Sequence, residues 1–127
     1  MKIIFMKRWI GKTLILDIYN LDESFLKERK ELINFLNFLM KSLNLEPFGK
    51  PLIKKIKTPK YPYFGFSIVQ IITESHISLH TWPEYNYLAL DIFSCKNFDE
   101  NKAIEKIKKY FKNKAKIKFK KIERYIV

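Results

Sequence analysis

The pattern of apolar and polar positions predicts a chain that begins with a strand and a helix. Residues 13–19 are rich in β-branched and aromatic side chains, which is typical of a strand. From Asp22 onward, apolar residues recur at steps of three and four, which predicts one long amphipathic helix that ends before Pro47. A basic strand near 51–58 follows. Three short apolar stretches then predict consecutive antiparallel strands, at 66–73, 76–82 and 86–94.

The last third of the chain predicts a second helix and a final strand. Asn97 and Glu100 have the spacing of a capping box at the start of this helix. Its buried stripe is predicted to consist of Ala103, Ile104, Ile107, Tyr110 and Phe111. From Ala115 onward, apolar residues alternate with lysines, as in a half-exposed strand. We therefore expect a single α+β domain over residues 1–127, a two-layer sandwich with two helices on one face of an antiparallel sheet.

The stretch 66–73 indicates how the other face of the sheet is covered. Alternate residues place Ile68 and Ile72 on one side and Val69 and Ile71 on the other, so both sides are largely apolar. A strand that is apolar on both sides has to be covered on both sides. Two helices cover one face, and a second copy of the same sheet is the simplest cover for the other. We expect a symmetric dimer whose sheets pack face to face.

Composition excludes several classes of protein. With 47% apolar and 16% aromatic residues, the chain is not intrinsically disordered. No apolar run approaches the roughly 18 residues of a membrane span, and residues 1–11 lack the apolar core and cleavage site of a signal peptide. Cys95 is the single cysteine, which excludes a disulfide scaffold. We expect a cytoplasmic protein with no membrane partner.

The net charge of +12 raises the question of a nucleic-acid partner. Of the 25 basic residues, only Arg8, Arg29 and Arg124 are arginine, the residue that reads base edges best. The lysines are spread along the chain, as on a solvated surface. We therefore expect no nucleic-acid partner.

Residues 73–95 carry the candidate chemistry. Strand alternation places His76 and His80 on one face, and Cys95 on one face of the next strand. A hairpin that brings these two faces together would place His80 and Cys95 in one pocket. Three chemistries are compatible with this pattern: a Cys95–His80 nucleophile and base, a metal held by the two histidines, and attack of Ser75 on its own backbone. The first lacks a third orienting residue and the second lacks further ligands. A polar, solvent-facing strand without chemistry is a fourth interpretation, and spacing alone favours it.

A longer motif adds a resemblance. The segment ESHISLHTWPEY at 74–85, followed by LDIFSC at 90–95, resembles the prokaryotic S-adenosylmethionine decarboxylases, which are self-processing pyruvoyl enzymes of polyamine synthesis. Chain length, the order of elements, Gly65 with Ser67, and the segment 11–15 agree more loosely.

The resemblance implies a self-cleaving proenzyme. Ser75 would attack the carbonyl of Glu74 to form an ester, and β-elimination of this ester would leave a dehydroalanine. Hydrolysis of the dehydroalanine would leave a pyruvoyl group in place of Ser75. The products would be a β chain, 1–74, and an α chain, 75–127. The pyruvoyl carbonyl would form a Schiff base with the substrate amine and accept electrons as CO₂ leaves, so no metal and no pyridoxal phosphate are expected.

The resemblance also implies roles for individual side chains. His80 matches the processing base, Ser67 a serine that assists processing, and Cys95 the proton donor to the decarboxylated carbon. Tyr61 and Trp82 match the aromatic residues that sandwich adenine. Glu84 matches the carboxylate that binds the ribose hydroxyls, and the family's active sites lie at a homodimer interface.

The expected reaction is decarboxylation of S-adenosylmethionine to the aminopropyl donor for spermidine. Two alternatives stay open at this point. Relatives with the same pyruvoyl chemistry decarboxylate arginine or ornithine, and an unprocessed homologue would act as a regulatory partner of an active copy.

Overall fold

One six-stranded sheet organises the fold. The computed structural model describes residues 8–58 and 61–127, without the side chains of 58 and 61–63. Its strands are β1 (Arg8–Tyr19), β2 (Leu52–Thr58), β3 (Tyr61–Ile72), β4 (Ser75–Trp82), β5 (Tyr87–Ser94) and β6 (Lys116–Ile126). Their order across the sheet is β2-β3-β4-β5-β1-β6, and every neighbouring pair is antiparallel. The predicted antiparallel sheet is confirmed.

Three helices cover one face of this sheet, which we call the inner face. They are α1 (Glu23–Leu26), α2 (Arg29–Ser42) and α3 (Glu100–Tyr110). Alternate residues of the strands and the apolar stripes of the helices form one core, in which Leu16, Ile77, Leu90, Phe35 and Ile107 are fully buried. The α+β architecture and the apolar stripe of the last helix are thus confirmed.

The single long helix predicted from Asp22 is wrong, because the chain forms α1 and α2 with a break at Lys27 and Glu28. The carbonyl of Leu26 accepts a hydrogen bond from the Thr81 hydroxyl at 3.0 Å. That hydroxyl replaces the next helical N–H as the partner of the carbonyl, so a contact from β4 ends the helix. The apolar spacing continues across the break because Leu26 and Leu32 are both fully buried in the same core.

The predicted capping box is also wrong. The N-cap of α3 is Asp99, whose carboxylate accepts hydrogen bonds from the backbone amides of Asn101 and Lys102 at 2.9 and 3.3 Å. Asn97 and Glu100 instead both accept from the ammonium group of Lys12, at 3.2 and 2.6 Å. The spacing therefore reflects a tertiary ion pair.

The opposite face of the sheet, the outer face, bears Ser67, His80 and Trp82 among the predicted site residues. The strand register places Ser67, His80 and Ala89 side by side across β3, β4 and β5. Large apolar side chains on this face are partly exposed in the single chain: Leu52, Ile56, Ile71, Trp82 and Ile122. In the described part of the chain, the helices are too short or too polar to cross a membrane.

Candidate active site

The predicted cleavage bond lies in a tight turn between β3 and β4. Thr73 and Glu74 form a two-residue connection, and Ile72 pairs with Ser75 across it. The backbone amide of Thr73 donates to the carbonyl of Glu46 at 3.0 Å, and the carbonyl of Glu74 accepts from the backbone amide of Cys95 at 2.9 Å. The carbonyl that Ser75 would attack is therefore polarised by an N–H donor, the arrangement that stabilises an oxyanion. We call Glu74, Ser75 and Cys95 the cleavage turn.

Ser75 has a strained backbone. Its φ angle is +140°, a conformation that side-chain-bearing residues rarely adopt. Such a residue stores about 1 to 3 kcal/mol of strain, which persists only because the surrounding hydrogen bonds hold it. The strain lies directly beside the bond between Glu74 and Ser75, so breaking that bond releases it.

Ser67 and His80 form a second polar pair on the outer face. They are direct partners in the register of β3 and β4, and Ser67 Oγ lies 2.8 Å from His80 Nδ1 in a hydrogen bond. The pair borders a cleft of about 360 Å³. Its lining residues are Ile56, Phe64, Gly65, Phe66, Ser67, His80, Thr81, Trp82 and Glu84. We call this the histidine cleft.

The close packing of β3 and β4 at the histidine cleft requires glycine at one position. A Cβ atom on Gly65 would lie 2.1 Å from the carbonyl oxygen of Thr81, well inside van der Waals contact. Next to it, the backbone amide of Phe66 donates to the Thr81 hydroxyl at 2.9 Å. Thr81 is buried, with 4% of its surface exposed. Because its hydroxyl bonds both the Phe66 amide and the Leu26 carbonyl, it connects β4 to β3 and to the end of α1.

Trp82 and Glu84 lie at the rim of the histidine cleft. Trp82 ends β4 and is 39% exposed, so the ring is available to a ligand. Glu84 follows on a short 3₁₀ turn, Pro83–Tyr85, and is exposed. The side chain of Tyr61, the other predicted adenine contact, lies outside the described residues.

The cleavage turn and the histidine cleft lie at opposite ends of β4. Ser75 begins this strand and His80 is five residues further on, a separation of about 16 Å at the rise of a β-strand. Cys95 lies with Ser75, since Ser75 pairs with Ser94, whereas His80 pairs with Ala89. The expectation that His80 and Cys95 share one pocket is therefore wrong within a single chain.

A buried ion pair holds the segment that carries Cys95. The ammonium group of Lys12 binds Asn97 and Glu100, one on each side of the N-cap of α3, and Lys12 is only 3% exposed. Hydrogen bonds from Lys12 and then Lys121 lower the pKa of the Glu100 carboxyl to about 2. A Cβ atom on Gly11 would lie 2.7 Å from the Ser94 carbonyl and 3.2 Å from Cys95 Cα, so β1 passes as close to this segment as glycine allows.

Comparison with known proteins identifies the family of the chain. The sequence profile of the family described as S-adenosylmethionine decarboxylase matches residues 12–125. The chain belongs to the S-adenosylmethionine decarboxylase family. A relative from Fervidobacterium nodosum, an S-adenosylmethionine decarboxylase proenzyme, is 37% identical over 105 residues, which cover 82% of this chain and 72% of the relative. The proenzyme of Thermotoga maritima is 35% identical over 106 residues, with 83% and 77% covered.

The fold of the chain is also similar to a solved structure of an adenosylmethionine decarboxylase. The crystal structure of the adenosylmethionine decarboxylase from Aquifex aeolicus superposes with a TM-score of 0.75 at 25% identity, covering 94% of each chain. The resemblance stated from residues 74–95 is confirmed at the level of family and enzyme class. The roles of individual residues stay predictions.

The sequence does not reveal the main-chain donor at the cleavage turn or the side chains that pack beside Trp82. The Cys95 N–H that binds the Glu74 carbonyl is a main-chain donor, which no residue type reveals. Two outer-face residues are not apparent from the sequence either: Tyr87, whose ring packs against Trp82, and Asp17, which accepts a hydrogen bond from Tyr87. A carboxylate and a tyrosine at alternating strand positions give only a weak signal, because such residues are common on exposed strands.

Proposed function

We propose that this chain is a proenzyme that cleaves itself between Glu74 and Ser75 and then decarboxylates S-adenosylmethionine. The observation that carries the proposal is the cleavage turn, where a strained serine lies beside a carbonyl that already accepts a main-chain hydrogen bond. A two-residue turn with ordinary backbone angles would give no reason for cleavage at this bond. The family of the chain supports the same reaction.

Self-processing uses groups of the protein and one molecule of water. Ser75 Oγ adds to the Glu74 carbonyl carbon, its proton is taken by a base, and the C–N bond breaks to leave an ester. The Cys95 N–H stabilises the negative charge on the carbonyl oxygen during the addition. Removal of the α proton of residue 75 then expels the Glu74 carboxylate and leaves a dehydroalanine at the new N-terminus. Its imine tautomer takes up water and releases ammonia, which gives the pyruvoyl group. His80, whose ring bonds Ser67, is the proposed base, because a histidine ring nitrogen can accept a proton.

The position of Ser75 fits the pyruvoyl group expected there. As the first residue of β4, it becomes the N-terminus of the α chain, and that terminus stays held by pairing with Ser94 and by the neighbouring strands. When present, the group supplies an electron sink for loss of CO₂. The thiol of Cys95 is exposed on the same side of the molecule and would return a proton to the decarboxylated carbon.

The histidine cleft is suited to the nucleoside part of the substrate. Trp82 offers a half-exposed aromatic face for adenine, and aromatic faces also attract the sulfonium cation. Glu84, on the rim of the same cleft, is placed to accept hydrogen bonds from the ribose hydroxyls. The product would be decarboxylated S-adenosylmethionine, the aminopropyl donor for spermidine.

A homodimer reconciles the two separate clusters. His80 does not reach Ser75 across about 16 Å of its own strand. In a dimer with two-fold symmetry, residue i of one copy meets residue j of the other and j meets i. If the outer faces pack together, the cleavage turn of each copy can meet the histidine cleft of its partner, which gives two complete sites. The partly exposed Leu52, Ile71 and Ile122 supply apolar surface for such an interface.

Intact mass spectrometry of the purified protein tests the proposed function. We expect two fragments of about 9 and about 6 kDa, scaled by length from 15.4 kDa, with the smaller fragment blocked at its N-terminus. Ser75→Ala should remain one chain. Ser78→Ala is the matched control on the same strand and should be cleaved as the wild type is.

Release of labelled CO₂ from carboxyl-labelled S-adenosylmethionine, beside arginine and ornithine, then identifies the substrate. An uncleaved wild-type chain would overturn the proposal. Cleavage with release from arginine or ornithine alone would overturn the substrate and leave self-processing in place.

A further inference from the structure

A row of aromatic rings extends from the histidine cleft across the outer face. Trp82 and Tyr87 are direct partners in the register of β4 and β5, and their ring centroids lie 5.4 Å apart at an interplanar angle of 31°. Tyr87 also stacks on Tyr19 of β1, with centroids 5.2 Å apart and planes at 24°. Tyr87 is therefore held between Tyr19 and Trp82.

The hydroxyl of Tyr87 is tied to the neighbouring strand. It donates a hydrogen bond to the carboxylate of Asp17 on β1. Burial, followed by this hydrogen bond and the charge of Asp17, raises the pKa of Tyr87 above its ordinary value. The phenol therefore remains a protonated donor at any working pH. A hydrogen bond to a charged acceptor is stronger than a neutral one, so it restricts the rotation of the tyrosine ring.

Trp82 lies against one further ring among the described side chains. It is 39% exposed and ends its strand, and its other ring contact is with His80, at 6.2 Å and 53°. An exposed indole without a fixed neighbour occupies several rotamers. Restricting it to one rotamer on binding costs conformational entropy, which would lower the affinity for the ligand. The locked Tyr87 ring is the neighbour that selects one orientation.

We propose that Tyr87 and Asp17 are positioning residues that preorganise Trp82 for stacking on the adenine of the substrate. Neither has to touch the substrate, because both act through the indole ring. This inference rests on the proposed function only where it names adenine as the ligand of Trp82. The preorganisation of the indole is a property of the chain without substrate.

Fluorescence of Trp82 tests the inference. The chain has two tryptophans, so Trp9→Phe makes Trp82 the single reporter. In that background, Tyr87→Phe keeps the ring and removes the hydroxyl. We expect faster local motion of Trp82 in time-resolved anisotropy without ligand. We also expect about three- to tenfold weaker binding of 5′-methylthioadenosine, the probe for the nucleoside part, as for the loss of one hydrogen bond.

Kinetics separate positioning from a general structural defect. With S-adenosylmethionine, Tyr87→Phe should raise KM by a similar factor and leave kcat and the extent of self-cleavage unchanged. Asp17→Ala should reproduce this effect, the double variant should add nothing further, and Asp17→Asn, which keeps an acceptor, should restore most of the affinity. Tyr110→Phe, a half-buried tyrosine of the helix layer, is the matched control and should change none of these values.

The outcomes distinguish this inference from the proposed function. Unchanged Trp82 anisotropy in Tyr87→Phe would overturn the inference whatever the substrate is. Faster motion without any change in nucleoside affinity would overturn the link to binding. If the reference protein bound no nucleoside at all, the substrate assignment would fail, and the anisotropy result would still decide whether Tyr87 positions the indole.

Discussion

Self-cleavage of each chain at Ser75 should require His80 of a second copy and not His80 of the same chain. The prediction follows from the separation of Ser75 and His80, which lie five residues apart on the straight strand β4. At the rise of a β-strand this is about 16 Å, far beyond the length of a histidine side chain. A His80→Ala chain should therefore be cleaved when its partner supplies an intact His80, even if that partner carries Ser75→Ala.

The expected fraction of cleaved His80→Ala chains follows from the symmetry of the dimer. When the two variants are present in equal amounts and associate at random, about half of the His80→Ala chains have a Ser75→Ala partner, and each such pair contains one complete site. About half of the His80→Ala chains should then be cleaved. An excess of the Ser75→Ala chain should raise this fraction toward completion, while the Ser75→Ala chain itself stays intact at every ratio.

The assay requires that the two chains be distinguishable. Co-expression with different affinity tags, followed by intact mass spectrometry, reports cleavage of each chain separately. Reagents such as hydroxylamine are avoided, because they open an ester stalled between residues 74 and 75. Each variant expressed alone supplies the background, and Ser75→Ala paired with the wild type confirms that mixed dimers form.

Two results would refute this reasoning. If His80→Ala is cleaved as fully alone as it is in the mixture, His80 is not the processing base. If verified mixed dimers leave the His80→Ala chain uncleaved beyond its background, the histidine does not act across the interface, and the proposed face-to-face arrangement is wrong.

Two further predictions concern the groups that hold the site. Glu100→Gln should lower the free energy of unfolding at pH 7 by about 2 kcal/mol, because Lys12 is left buried without its charged partner. The pKa of Glu100 falls from 4.5 to about 2 on folding, so this difference should be complete above pH 4.5 and disappear as the pH drops toward 2. Thr81→Val should cost about 2 kcal/mol in urea unfolding, because the Phe66 amide and the Leu26 carbonyl lose a buried partner.

Matched controls make these two measurements decisive. Glu105→Gln removes an exposed pair with Lys109 and should change stability by less than about 0.5 kcal/mol at any pH. A pH-independent difference for Glu100→Gln would contradict the ion-pair account.

Thr13→Val removes a hydroxyl from β1, where Oγ1 is buried and has no hydrogen-bond partner among the described residues. It should not destabilise the fold, and an equal loss at both positions would contradict the role given to Thr81.

Local pattern was sufficient for most of the secondary structure. The period-two alternation from residue 115 onward became β6, and the apolar stripe of α3 is buried at Ala103, Ile104 and Ile107. The stripe of α3 follows from sequence because one face of the helix is buried and the other is solvated, which imposes a period. The strand β6 forms where the alternation predicts it, but in the single chain both of its faces are exposed except at the partly buried Ile117. The break after Leu26 and the cap of α3 did not follow, because Thr81 and Lys12, distant in the chain, compete for the local partners.

The sequence by itself determined the family and the residue types of the site. The motif at 74–85 gives Glu74, Ser75 and His80 as the candidate residues for the proposed self-cleavage. Only the tertiary structure decided how the groups are distributed. The strain at Ser75, the Cys95 amide on the Glu74 carbonyl and the distance from Ser75 to His80 depend on strand register and on main-chain geometry. Residue types do not reveal these features, because all residues except proline have the same main-chain N–H and C=O groups. The distance between two residues of a strand also depends on the number of residues between them and not on their types.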